Sequence, residues 1–145
     1  MSLVVQIANR QRLLPIDRRR LRAAVRQVLR GEGARDAQIS VAVVADEEMQ
    51  SLNARYLGHD YPTDVLSFSL EQSPELLEGE VVVNAQQAIA AANRAGWPAA
   101  SELTLYVIHG LLHLLGYDDQ DKVRRGRMRR REEAYLAALG LGPPF

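Results

Sequence analysis

The chain has 145 residues, 47% of them hydrophobic and 25% charged, which suits one ordinary soluble domain and leaves little room for a second. It contains no cysteine, so disulfides, thiolate zinc sites and cysteine nucleophiles are excluded. Its 18 basic and 18 acidic residues cancel, a balance that by itself argues against a nucleic-acid binder.

Leu3–Ile7 is a short β-branched run and predicts a first strand. After Pro15-Ile16-Asp17, the apolar residues Leu21, Ala24, Val25, Val28 and Leu29 recur at helical spacing up to Gly31 and Gly33. Gln38–Val44 alternates as a strand does. Asp46-Glu47-Glu48 is an acidic helix start, with Met49, Leu52, Tyr56 and Leu57 on one face and Pro62 as the breaker. Asp64–Leu70 and Glu80–Val83 predict two more strands, separated by a polar loop around Ser73-Pro74. Asn84–Arg94 is an alanine-rich helix closed by Gly96. Ala99–Leu115 is apolar nearly all round, hence a buried helix, and stops at Gly116. Asp121–Leu139 is a last, arginine-rich helix. The apolar run from Leu103 to Leu115 is too short to span a membrane, and the N-terminal residues lack the basic start of a signal peptide. The expectation is therefore a cytoplasmic protein with no membrane partner. Four strands interleaved with helices predict a single α+β domain over residues 1–145, with a small mixed four-stranded sheet and helices packed on it. The first two strands should be parallel across the first helix, and the last two should form an antiparallel hairpin.

The zero net charge hides a segregation. Residues 1–35 carry nine arginines against two acids, residues 36–121 two arginines against fourteen acids, and residues 122–145 seven basic residues against two acids. All but one of the basic residues are arginine, whose planar fork suits phosphate. The two arginine-rich helices are either solvated faces or, if both border one cleft, a phosphate track. Tyr61 and Trp97 can stack on bases, although Trp97 also suits a contact at the start of its helix.

The chemistry concentrates on the buried helix. Two of the three histidines, His109 and His113, stand four residues apart there, so both imidazoles leave one face of the helix, one turn apart. Leu105, Ile108, Leu111, Leu112, Leu114 and Leu115 surround them. Imidazoles in such surroundings need partners, and a divalent ion supplies one. Gly116 breaks the helix, and Tyr117-Asp118-Asp119 turns back, so that Asp119 can bring a carboxylate to the same ion. Asp118 is a candidate to orient a ligating imidazole. The spacing is similar to the metal-binding helix of the metzincin zinc proteases, but Gly110 stands where those proteases carry their glutamate base. Peptide hydrolysis by that route is disfavoured.

His109-Gly110-Leu111-Leu112-His113-Leu114-Leu115-Gly116-Tyr117-Asp118 resembles the signature of the YbeY family, the bacterial endoribonucleases and rRNA maturation factors. Leu52-Asn53, Tyr56 and the stretch Pro62-Thr63-Asp64-Val65-Leu66-Ser67-Phe68 resemble its second signature. Gly79–Val83 is similar to its Gly-Asp-Ile strand, and Met128 with Glu132-Glu133 to its last helix. The resemblance implies a single-strand-specific, metal-dependent endoribonuclease acting in 16S rRNA 3′-end maturation and ribosome quality control. It implies one divalent ion, Zn²⁺ in the family, whose bound water attacks the phosphodiester, with single-stranded rRNA and the small ribosomal subunit as partners. The ligands carried over are His109, His113 and, in place of a third histidine, Asp119; no catalytic base is identified. A second departure is Leu57, where the family has a phosphate-binding arginine; Arg55 and His59 are the neighbouring substitutes. These departures keep open a non-catalytic ribosome-associated factor with a degenerate metal site, and Gly110 leaves a zinc peptidase-like hydrolase as the weaker reading.

Overall fold

The structure, a computed structural model, describes residues 2–72 and 76–142. Nine elements follow one another: β1 (Ser2–Asn9), α1 (Arg18–Gly31), β2 (Asp36–Val44), α2 (Asp46–Leu57), β3 (Val65–Gln72), β4 (Leu77–Asn84), α3 (Ala85–Ala95), α4 (Ala99–Leu114) and α5 (Lys122–Ala138). Every predicted element is present, and the polar loop predicted around Ser73-Pro74 lies outside the described residues. The sheet runs β1-β2-β4-β3. The first three strands in that order are parallel, and β3 is the antiparallel edge. The β4 strand is longer than its apolar run, because β2 and β3 hold it from both sides. The outcome is the α+β class with a mixed four-stranded sheet.

Side-chain alternation divides the core between the two faces of the sheet. Ile39, Val41 and Val43 of β2 and Val81 and Val83 of β4 face the larger core, shared with α1, α3, α4 and α5. Ala42, Val44 and Val82 face the other way and are covered by Met49 of α2 together with Leu66. Only the C-terminal halves of β2 and β4 are therefore buried on both faces. Helix ends follow local chemistry: Asp17, Asn84 and Asp121 accept backbone N–H bonds at the starts of α1, α3 and α5. Gly58 and Gly96 close α2 and α3 in the left-handed region.

Two close approaches set α4 against the sheet. A Cβ on Gly110 would lie 2.5 Å from Val81 Cγ1 and 3.0 Å from Val65 Cγ1, and one on Gly79 would lie 2.6 Å from Leu114 Cδ1. Hydrogen atoms in place of methyl groups thus let the histidine helix sit down on β3 and β4. The Ser67 hydroxyl pins it there by donating to the Gly110 carbonyl at 2.9 Å.

Glu32, just past α1, ties three distant segments together. Its Oε1 accepts from the Tyr117 hydroxyl at 2.7 Å; its Oε2 accepts from Tyr135 at 2.5 Å and from both Nε and Nη2 of Arg131. Burial pushes this carboxyl upward, but the bonds from Tyr135, Arg131 and Tyr117 and the Arg131 charge hold it below its ordinary value. Burial and the Glu32 carboxylate in turn push the Tyr135 hydroxyl up to about 12. A depressed folded-state pKa stabilises the fold above the unfolded carboxylate value near ~4.3, and the gain is lost as pH falls through the folded value. Glu32→Gln is expected to cost about 2 kcal/mol at neutral pH, the scale of hydrogen bonds to a charged group. Urea unfolding of the native protein and of Glu32→Gln should converge as the pH drops below about 4. A gap that persists undiminished in acid would show that the ionised carboxylate is not what matters.

Candidate metal centre

His109 and His113 leave one face of α4, where their rings meet edge to face with centroids 4.7 Å apart. Their Nε2 atoms are 3.1 Å apart. After Leu114 the helix ends, Gly116 turns at φ 102° and the chain folds back, so that one ligand atom each of His109, His113 and Asp119 lies within 4.8 Å of the others. The structure therefore brings the three sequence-derived residues into one group that can hold a metal ion. Both histidines are half-buried and Asp119 is exposed, so a bound ion would keep a solvent side.

The chemistry of the donor set fits a divalent cation. The His109 Nδ1 lies 2.5 Å from Glu132 Oε2, and Glu132 is 5% exposed. A carboxylate on Nδ1 fixes the N–H there and turns the bare Nε2 toward His113 and Asp119, the second layer typical of ligating histidines. His113 is held in a similar way by a hydrogen bond to the Tyr117 backbone. Burial disfavours the charged form of His109, yet the Glu132 hydrogen bond and charge, helped by Asp64 and Asp119, hold its pKa above the ordinary imidazole value. Burial and the charge of His109 push His113 the other way. His109 is thus the ring that holds a proton more readily, and a cation bound between the nitrogens would replace it. Two neutral nitrogens and one carboxylate suit Zn²⁺.

Glu132, not Asp118, supplies the carboxylate that orients an imidazole. Asp118 instead accepts from Arg124 at 3.2 Å and from the Gln120 backbone, because the turn after Gly116 points it away from the rings and toward the start of α5.

His109 and Asp119 line a cavity of about 290 Å³ between β3, α4 and α5, walled also by Asp64, Glu102, Tyr106, Arg125, Met128, Arg129 and Glu132. Glu102, nearly buried, accepts from the Trp97 indole N–H at 2.8 Å, so Trp97 serves the start of α4. His113 faces a second recess along β3, with Ser67 and Ser69. Of the two arginine-rich helices, α5 borders the first cavity through Arg125 and Arg129, whereas no α1 arginine is among its lining residues. Helix α1 packs on β1, the edge opposite β3, and on the side of α4 away from the cavity's lining residues. The condition for a track formed by both helices is therefore not met: only α5 brings arginines to the cavity. Arg55 and His59 do not line the cavity either; Arg55 lies over the Tyr56 ring and His59 stacks on Tyr61. No helix among the described residues is long and apolar enough to cross a membrane.

A helix bearing two histidines, and a glycine turn that returns a carboxylate to them, give a small α+β protein with a three-residue group able to hold a metal ion. The family model described as endoribonuclease YbeY matches residues 6–140, and the chain belongs to that family. It is 41% identical over 127 residues to the endoribonuclease YbeY of Syntrophus aciditrophicus, covering 83% of this chain and 79% of the relative. It is 38% identical over 141 residues to that of Chlorobium phaeovibrioides, covering 97% and 93%. Among solved structures it is similar to the solution structure of TM1509 from Thermotoga maritima. The TM-score is 0.63 and the identity 25%, over 93% of this chain and 91% of that one.

Proposed function

We propose that this protein is a metal-dependent endoribonuclease that cleaves single-stranded RNA, with His109, His113 and Asp119 as ligands of one divalent ion, Zn²⁺ by the nature of the donors. The observation that carries this reading is the convergence of those three donors at the edge of a cleft lined by Arg125 and Arg129, in a chain of the endoribonuclease YbeY family. When bound, the ion supplies a Lewis acid for the phosphoryl oxygen and lowers the pKa of a water. The chain's own residues do the rest. Arg125 and Arg129 on α5 present guanidinium groups to a phosphodiester entering the cleft, the task that Leu57 cannot perform. Arg125 is positioned for it by donating to the Asp119 carbonyl at 3.3 Å. Glu132 keeps His109 in the tautomer that faces the ion. The proposed substrate is rRNA, in maturation of the 16S 3′ end and quality control on the small ribosomal subunit, in the cytoplasm; the family resemblance supports this reading.

The test is cleavage of an unstructured RNA carrying the 16S 3′ region, with and without Zn²⁺, beside a duplex of the same sequence. The single strand should be cut and the duplex spared, and a chelator should stop the reaction. The double variant R125A/R129A is expected to raise KM about tenfold and to flatten the salt dependence of RNA binding by about 1.4 in log–log slope, the share of two phosphate contacts on a single strand. A slope equal to that of the native protein would remove these arginines from the RNA path. A zinc-loaded protein that binds the RNA yet never cuts it would point to the non-catalytic ribosome-associated factor.

A further inference from the structure

Three of the seven large apolar side chains exposed among the described residues fall in one stretch: Tyr56 at 58%, Leu57 at 52% and Tyr61 at 53%. The stretch is held firmly by its backbone. The buried Asn53 amide donates to the Tyr61 carbonyl at 2.9 Å, the His59 N–H donates to the Asn53 carbonyl, and Gln50 donates to the Asp60 carboxylate. On this rigid loop the rings of His59 and Tyr61 lie within 11° of parallel, centroids 5.4 Å apart, joined by a 3.1 Å contact between the Tyr61 hydroxyl and His59 Nδ1. Behind them Tyr56 stands edge-on to Phe68 under the Arg55 guanidinium. Neither His59 nor Tyr61 belongs to a core cluster, so packing does not explain their alignment.

The loop leads directly into the cleft. Tyr61 is three residues before Asp64, a cleft-lining residue, and three residues of chain span at most ~11 Å. We propose that the His59–Tyr61 pair is a stacking platform for an unpaired base of the RNA strand whose backbone lies in the metal cleft, with Arg55 drawing in the neighbouring phosphate. The inference rests on the reading of the cleft as an RNA site. Flat, pre-ordered rings suit a base without regard to its identity, and continuity with the cleft makes RNA, rather than a protein helix, the occupant.

The test measures equilibrium binding and steady-state cleavage of a short unstructured RNA by the native protein, Tyr61→Ala and Tyr61→Phe. The Tyr61 carbonyl is what ties the loop to the buried Asn53, and the exposed ring rests on His59, so thermal midpoints of the three should agree. Tyr61→Ala is expected to raise Kd and KM about tenfold, the scale of one stacked base, with kcat nearly unchanged, and Tyr61→Phe should stay close to native. Single abasic sites moved along the RNA should include one position that weakens native binding equally and adds no further loss to Tyr61→Ala. Native affinity in Tyr61→Ala, or an equal loss at every abasic position, would overturn the platform and assign the surface to a protein partner. Failure of the native protein to bind RNA at all would instead overturn the proposed function, and the platform with it.

Discussion

His113→Ala is expected to lower the affinity for Zn²⁺ by more than a hundredfold, beyond the ~10–100-fold that loss of a mere supporting contact costs. The two Nε2 atoms are 3.1 Å apart and the Asp119 carboxylate is within reach of both, so removing one imidazole leaves two donors that cannot enclose an ion. Glu132→Gln separates direct ligation from support. It keeps the shape and a hydrogen bond to His109 but removes the negative charge, and about a tenfold loss of affinity should follow. Asp119→His is the complementary change: a third imidazole in place of an exposed carboxylate is expected to tighten Zn²⁺ binding. Competition with a chromophoric chelator reads all three. Binding must also expel a proton, since Glu132 holds the His109 pKa above the ordinary imidazole value of 6.5. Affinity for the ion should therefore fall as pH drops through that raised value, already beginning above pH 6.5. A Zn²⁺ affinity in His113→Ala equal to native would remove the proposed ligand set, and a looser Asp119→His would remove Asp119 from it.

The elements were legible because their signals are local. Alternation marks β2 and a run of valines β4, capping residues mark the starts of α1, α3 and α5, and the spacing of His109 and His113 on an apolar helix needs no tertiary knowledge. What could not be read is what depends on crossing distance. The α1 arginines look equivalent to those of α5 along the chain, and only the tertiary packing of α1 on β1 and α4 leaves them out of the cavity's lining. Glu132 was visible within the last helix but not as the partner of His109. Its signal is that it falls on the buried face, four residues after Met128 and close to Tyr135 and Leu136, where an isolated carboxylate requires a partner. Asp64 reads from its own residues as a turn before a strand, and only the resemblance of the stretch Pro62–Phe68 to the family's second signature points to the wall of the cavity that it forms. The Glu32 hub joins residues 85 to 103 positions apart, a separation at which no periodicity speaks.

Gly110→Ala should destabilise the protein by about 1–2 kcal/mol although alanine is the better helix former. In an open helix position the exchange gains up to ~1 kcal/mol. At Gly110 the new methyl would meet Val81 Cγ1 at 2.5 Å, Val65 Cγ1 at 3.0 Å and Ser67 Oγ at 3.1 Å, three β-branched or hydrogen-bonded neighbours on the sheet that cannot swing aside. Overpacking of that kind costs ~1–3 kcal/mol, which outweighs the propensity gain. The same crowding explains the absent glutamate: a long acidic side chain at residue 110 would point into the sheet, not toward solvent and substrate. Gly126→Ala on α5 is the control, since its Cβ meets nothing closer than Arg130 Nη1 at 3.5 Å; there the same exchange should stabilise by ~0.5–1 kcal/mol. Thermal unfolding should thus move in opposite directions for the two variants, by about 4 °C per kcal/mol for a chain of this size. Lifting α4 off β3 also moves both imidazoles relative to Asp119 and to Glu132 on α5. Gly110→Ala should therefore weaken Zn²⁺ binding, whereas Gly126→Ala should leave it intact. If Gly110→Ala melts at or above the native temperature and binds Zn²⁺ as the native protein does, the close seating of α4 on the sheet is not what aligns the histidines.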